Sequence, residues 1–319
     1  MTEFATSPRA IGACALALAS FFTRASAAQG TGPAAQSDPP AAQSTAPAAP
    51  ASSTPANAPS SPKFHVEPIT DVAIVAINAG FAGLLDLVVG TGELRPQQIS
   101  SSFDSSKLLG IDRGAISQHV DPNAGTYSTI GLGVAVGYAL LDPIASGFRE
   151  KSVQTALIDA IIYAETLTIT TGVTNLAKIA VRRPRPVAYV AAQEHANDPS
   201  YSNADTDSSL SFFSGHASIT AAVTATATYL AFVRSPKSPR PWITLITGTL
   251  LTSFVSFERV RAGKHFPTDV IAGAIAGAGV GILVPHFHRN DPEKQRMLWI
   301  GAAPMNNNTG GMLTLSGLF

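Results

Sequence analysis

The chain has one cysteine in 319 residues, Cys14. It lies in an N-terminal stretch that reads as removable, so the remainder offers neither a disulfide nor a thiolate set for a metal. Charge is also scarce. Asp, Glu, Lys and Arg make up 13% of the residues, about half the share usual in soluble proteins, and the formal net charge is zero. The basic residues are sparse and confined to a few clusters, which excludes a nucleic-acid surface. Tight apolar–polar alternation is missing from the main body, so its long apolar segments are not strands. No internal repeat is present, which excludes a solenoid.

Composition divides the chain into four parts. Arg9, the weakly apolar Ala10–Phe22 and the small residues Ala25-Ser26-Ala27 read together as an export signal over residues 1–27. The apolar part is about 13 residues, short of the roughly 20 that a spanning helix needs. Residues 28–62 are almost all Ala, Pro, Ser, Thr, Gln and Gly. Such a segment buries too little apolar surface to offset its ordering entropy and is expected to be a disordered tether. Residues 63–290 remain as one domain, long enough for a single large core. The tail 291–319 reads differently: Leu298–Ala303 and Met312–Leu318 flank an Asn/Gly-rich turn and suggest a β-hairpin.

Within 63–290 the apolar segments predict an all-α bundle of about six helices, near 69–90, 128–146, 152–181, 215–233, 241–258 and 267–285. Ser214 is placed to cap a helix, Pro241 and Pro267 suit first turns, and Pro184 and Pro186 stop the third helix. Residues 93–127 read as a long loop with short helices, and 187–212 as a polar loop. Segments 217–233, 241–257 and 270–285 lack charge and approach spanning length. Asp71, Asp86, Asp142, Asp159 and Glu165 interrupt other apolar segments, and each is costly in a membrane unless buried in protein.

Three short clusters carry the chemistry. The first is Lys178 with Arg182, Arg183 and Arg185 before Pro186, a concentration of cations at a helix exit that favours an anion. The second, Ser214-Gly215-His216, opens a helix, where free N–H groups and the positive dipole end attract a phosphate. The third is Arg259, His265 and Asp269. There Asp269, in the first turn after Pro267, can accept the Nδ1–H of His265 and leave Nε2 free. Arg259 can clamp a phosphate through two hydrogen bonds.

Taken together, these residues resemble the three signature motifs of the type-2 phosphatidic acid phosphatase and vanadium haloperoxidase superfamily, in its bacterial phosphatase branch. Those motifs are Lys-x6-Arg-Pro, Pro-Ser-Gly-His and Ser-Arg-x5-His-x3-Asp. Lys178, Arg185, Ser214, Gly215, His216, Arg259, His265 and Asp269 match in type, order and spacing over about residues 150–290. Phe213 stands in place of the motif's proline and Glu258 in place of its serine. The resemblance implies a helical bundle with the site at one end and catalysis without a cofactor or metal. It implies that His265 is the nucleophile, oriented by Asp269, and that His216 protonates the leaving alcohol. Lys178, Arg185, Arg259, Ser214 and Gly215 would hold the phosphoryl group.

The expected substrate is a lipid-linked phosphate or pyrophosphate, because apolar helices surround the motifs. A soluble periplasmic acid phosphatase is the alternative; a vanadate-dependent haloperoxidase and a non-enzymatic phospholipid-binding protein are weaker ones. Arg149, Lys151, Arg234, Lys237, Arg240, Arg289, Lys294 and Arg296 fall at helix ends opposite the clusters. The positive-inside rule then puts the clusters on the periplasmic face of an inner membrane. A cleaved signal followed by six spans would put them in the cytoplasm. The conflict resolves if the signal is retained, if segment 69–90 does not span, or if the domain is soluble and periplasmic.

Overall fold

Pro68 opens the first helix, α1 (Pro68–Gly90), at a position where its missing N–H costs nothing. In this computed structural model the described residues are 63–290, except 95, 96, 98, 100–102, 199, 200 and 202–205, with the strands 298–304 and 311–317. The export signal and the tether expected from composition lie outside them. After α1 come a single turn, α2 (Gly114–Ser117), then α3 (Ala124–Glu150), α4 (Val153–Val181), α5 (Pro186–Glu194), α6 (Gly215–Arg234), α7 (Arg240–Arg261) and α8 (Pro267–Phe287). The strands β1 (Leu298–Pro304) and β2 (Gly311–Gly317) pair antiparallel, Leu298 opposite Gly317 and Pro304 opposite Gly311. The six expected helices are present, with ends that differ from the expected ones by up to four residues.

One local expectation fails. Residues 187–212 are not a loop throughout, because Pro186 opens α5 in addition to lying just past the stop of α4. Proline at the first helical position ends the preceding element and starts the next one. Helix α4 stops earlier, at Arg182, in the left-handed conformation with φ 48°.

The bundle buries many polar side chains beside an apolar core around Ile162, Tyr163, Val223 and Leu230, and it turns large apolar side chains outward. Of the 23 residues of α1, Asp71 and Ala82 are buried, while Ile69, Ile77, Leu84 and Leu87 are exposed. Phe148, Leu250, Ile275 and Phe287 are likewise exposed on α3, α7 and α8. Four of the five acids in the apolar segments, Asp71, Asp142, Asp159 and Glu165, are buried, while Asp86 on α1 is exposed. Asp142 accepts from Arg149 at 3.1 Å, Arg240 at 2.9 Å and Tyr163 at 3.1 Å. Asp159 accepts from Arg234 at 2.5 Å, and Asp86 accepts from Asn175 at 2.8 Å. Six helical stretches are long and apolar enough to cross a membrane. Charge largely sequestered within and apolar side chains outside is the arrangement that a hydrocarbon surrounding requires, and it marks a membrane protein.

Helices α6 and α8 pack closely through small residues. A Cβ on Gly273, Gly277 or Gly281 would lie 2.7, 1.9 or 2.2 Å from the carbonyl oxygen of Ser214, Ser218 or Ala222. Only glycine allows that approach, the means by which helices associate where water exclusion contributes little. Thr226 adds a hydrogen bond to the Gly281 carbonyl at 3.0 Å. The pairing fixes the second motif, at the start of α6, against the third, at the start of α8.

Candidate active site

All three motifs lie at one end of the bundle: the C-termini of α4 and α7 and the N-termini of α6 and α8. Ser214 caps α6 as its sequence position suggests, its hydroxyl accepting from Ala217 N at 3.4 Å. A Cβ at Gly215 would stand 3.7 Å from Lys178 Nζ, so the first and second motifs meet there. The turn from Arg259 to His265 depends on Gly263, which adopts φ 63°. A Cβ on it would lie 2.6 Å from Val187 Cγ1, so glycine is required twice over.

His265 is 2% exposed, and its Nδ1–H donates to the Ser211 carbonyl at 2.6 Å. A carbonyl only accepts, so the proton is on Nδ1 and Nε2 carries a lone pair. That lone pair faces Arg259 Nη2 at 3.4 Å. Burial pushes the His265 ring well below the ordinary histidine range, and Arg259, Arg185 and Lys178 push it further. The charges of the same three cations reach His216, which is half-buried with Nε2 3.3 Å from Thr129 Oγ1. Arg259 Nε is buried with no hydrogen-bond partner among the described residues. Arg185 donates to Asp207 at 2.8 Å, and Lys264, outside the motifs, lies 3.7 Å from the same carboxylate.

Asp269 does not contact the His265 ring as expected. Its Oδ2 accepts from the Ser211 hydroxyl at 2.5 Å and from Phe266 N at 2.9 Å, and its Oδ1 accepts from Arg183 at 2.6 Å. The carboxylate therefore holds the residue whose carbonyl holds His265. At the N-terminus of α8 it satisfies helix-end and loop donors, and that keeps it one residue away from the imidazole.

Two findings, on Arg183 and Asp112, lie beyond the sequence reading. Arg183, counted there among the anion-binding cations, instead bridges carboxylates. It donates to Asp269, to Thr268 at 2.8 Å and to Asp112 at 2.8 Å, with its Cζ 4.1 Å over the Phe266 ring. Asp112 is fully buried and also accepts from Thr268 N and Oγ1 at 3.0 and 2.7 Å. It comes from the loop before α2, where no sequence pattern marks it. Glu258 is buried and accepts from Arg261 at 3.1 and 3.4 Å, while Arg261 also reaches Asp121. The motif departure at Glu258 is thus paired and neutralised. Phe213 is buried, with its ring against Gly273.

Three cations, two histidines, one with a ring-nitrogen lone pair facing Arg259, and a helix N-terminus are the groups that a phosphate ester would call for. Among known families, the PAP2 superfamily matches residues 159–293, the stretch that holds all three motifs. The match makes this segment similar to that superfamily, which implies a phosphatase-type activity. No curated protein and no solved structure matches.

Proposed function

We propose that the chain is a phosphatase that hydrolyses a lipid-linked phosphomonoester or pyrophosphate through a phosphohistidine, without a metal in the reaction. The observation that supports this best is His265: Nδ1–H fixed by the Ser211 carbonyl and the Nε2 lone pair 3.4 Å from Arg259 Nη2. The Nε2 lone pair attacks phosphorus, forming the N–P bond as the P–O bond to the alcohol breaks. His216, protonated in the field of the bound phosphate, gives its proton to the departing oxygen. It then takes a proton from water, whose oxygen attacks phosphorus, breaks the N–P bond and returns His265 to its starting state. Lys178, Arg185 and Arg259 hold the phosphoryl oxygens, with the Gly215 N–H and the Ser214 hydroxyl, and offset the charge that develops on them. Asp269 positions His265 by way of Ser211.

The lipid reading rests on the apolar surface of the six candidate spans. The same surface argues against the soluble alternative. Helix α1 is almost wholly exposed, as a lipid-facing span would be, so of the resolutions open to the topology conflict we favour a retained signal with the site on the outer face of the inner membrane. The test is phosphate release by the purified protein from a lipid phosphate, an isoprenyl pyrophosphate and a water-soluble ester. The reading predicts preference for a lipid substrate and loss of turnover in His265→Ala. Equal turnover by that variant would contradict it.

A further inference from the structure

The far side of the bundle holds a second cluster. Asp71 in the first turn of α1, Glu165 in the middle of α4 and His288 just beyond α8 bring one donor atom each within 4.8 Å of one another. Both carboxylates are buried. Glu165 and Lys178 are thirteen residues apart on one helix, about 20 Å, so this cluster is separate from the phosphate site.

Buried carboxylates elsewhere in the bundle have guanidinium partners: Asp142 has Arg149 and Arg240, and Asp159 has Arg234. Asp71 and Glu165 have no guanidinium partner among the described residues: Asp71 Oδ2 accepts from Glu67 N at 2.6 Å, and the two carboxylates share the His288 imidazole. His288 Nε2 stands 3.6 Å from Asp71 Oδ2 and 3.4 Å from Glu165 Oε2. Both separations exceed the roughly 2.7–3.2 Å of a direct hydrogen bond. These two separations fit donors that share an ion, since atoms about 2.0–2.2 Å from a tetrahedral centre lie about 3.3–3.6 Å apart, and the two carboxylate donors lie within 4.8 Å of each other.

Two further observations point to a ligand. His288 Nδ1–H donates to the Val284 carbonyl at 2.8 Å, which puts the proton on Nδ1 and leaves the Nε2 lone pair toward the carboxylates. Metal-binding histidines are commonly oriented in this way. Glu165 Oε1 has no hydrogen-bond partner among the described residues, on a side chain that is 3% exposed.

We propose that Asp71, Glu165 and His288 bind a divalent transition-metal ion of the Zn²⁺ class, with water completing the shell. Two carboxylates and a neutral imidazole cancel the ion's charge, and one nitrogen with two oxygens suits this class better than Ca²⁺ or Mg²⁺. The ion would tie α1, which buries little else, to α4 and α8. Backbone bonds from His65 N to the His288 carbonyl and from Asn290 N to the Lys63 carbonyl, at 2.8 and 3.0 Å, hold the approach to α1 in place.

The test uses the untagged full chain in detergent, stripped with a chelator and titrated with Zn²⁺ at neutral pH against a competing indicator. One equivalent binds per chain, and the thermal unfolding midpoint rises with Zn²⁺. Glu165→Gln and Asp71→Asn each weaken binding by about 100-fold or more and lose the midpoint shift. His195→Gln, at an exposed histidine, changes neither. A folded wild-type chain that retains no Zn²⁺ would overturn the proposal, and so would Glu165→Gln binding as tightly as wild type. If the variants fail to fold, Co²⁺ in the wild-type chain decides: a ligand-field spectrum of nitrogen and oxygen donors supports the site, and the spectrum of the hydrated ion refutes it.

Discussion

At the residue scale, the proposed phosphate site separates groups that would face the reacting atoms from groups that hold them. Arg183 and Asp112 belong to the second set. Arg183→Ala is expected to lower kcat by about 100-fold, the size of effect produced by a displacement near 1 Å, with little change in KM. Steady-state kinetics beside Arg183→Lys would show it; a loss confined to KM would place Arg183 on the substrate instead. The second expectation concerns pH. Burial lowers the folded-state value of His265 well below the ordinary value of about 6.5. The folded ring therefore stays neutral where the unfolded ring gains a proton. Stability from this group is complete above about 6.5 and declines as pH falls below it. An NMR titration of the ring should place the His265 midpoint well below that value; a midpoint at 6.5 or above would be inconsistent with the buried geometry.

The eight motif residues were legible because their spacing is local: each cluster spans about a dozen residues or fewer. The link from Asp269 to His265 was not, because it passes through the backbone carbonyl of Ser211, and carbonyls leave no mark in a sequence. Asp112 and the Asp71–Glu165–His288 set were illegible for a different reason. Their members come from distant segments and meet only when the helices pack.

At the scale of elements, the α6–α8 contact places His216 relative to His265. Gly277→Val inserts atoms where a Cβ already meets the Ser218 carbonyl at 1.9 Å. It is expected to destabilise the fold by about 1–3 kcal/mol or more and to reduce activity with it. Gly279, on the same helix, has nothing within 4 Å of a Cβ. Gly279→Ala should be neutral or stabilising by up to about 1 kcal/mol. Thermal unfolding of the two variants side by side tests this; equal midpoints would mean that the glycine stripe does not set the helix separation. The long helices were readable from length and apolar content. Helix α5 escaped because Pro186 was read as the end of one helix and also begins the next.

At the scale of the whole molecule, six apolar candidate spans with most of their acids buried mark a membrane protein. After carbonate extraction the chain should remain in the membrane pellet, and release into the supernatant would return the soluble phosphatase reading to first place. The arginines behind the topology argument are partly occupied: Arg149 and Arg240 bind Asp142, and Arg234 binds Asp159 and Glu150. The positive-inside rule counts Lys and Arg and is little affected by acids, so the outward orientation of the site stands as proposed.

The central claim is the nucleophile, and the most direct measurement is the covalent intermediate itself. Enzyme mixed with a substrate radiolabelled in its phosphate and denatured rapidly in alkali, where a phosphohistidine survives, should yield one labelled peptide. The account predicts label on the peptide that contains His265, acid-labile and absent from His265→Ala. Turnover with no labelled protein under these conditions, or label that persists in His265→Ala, would contradict it.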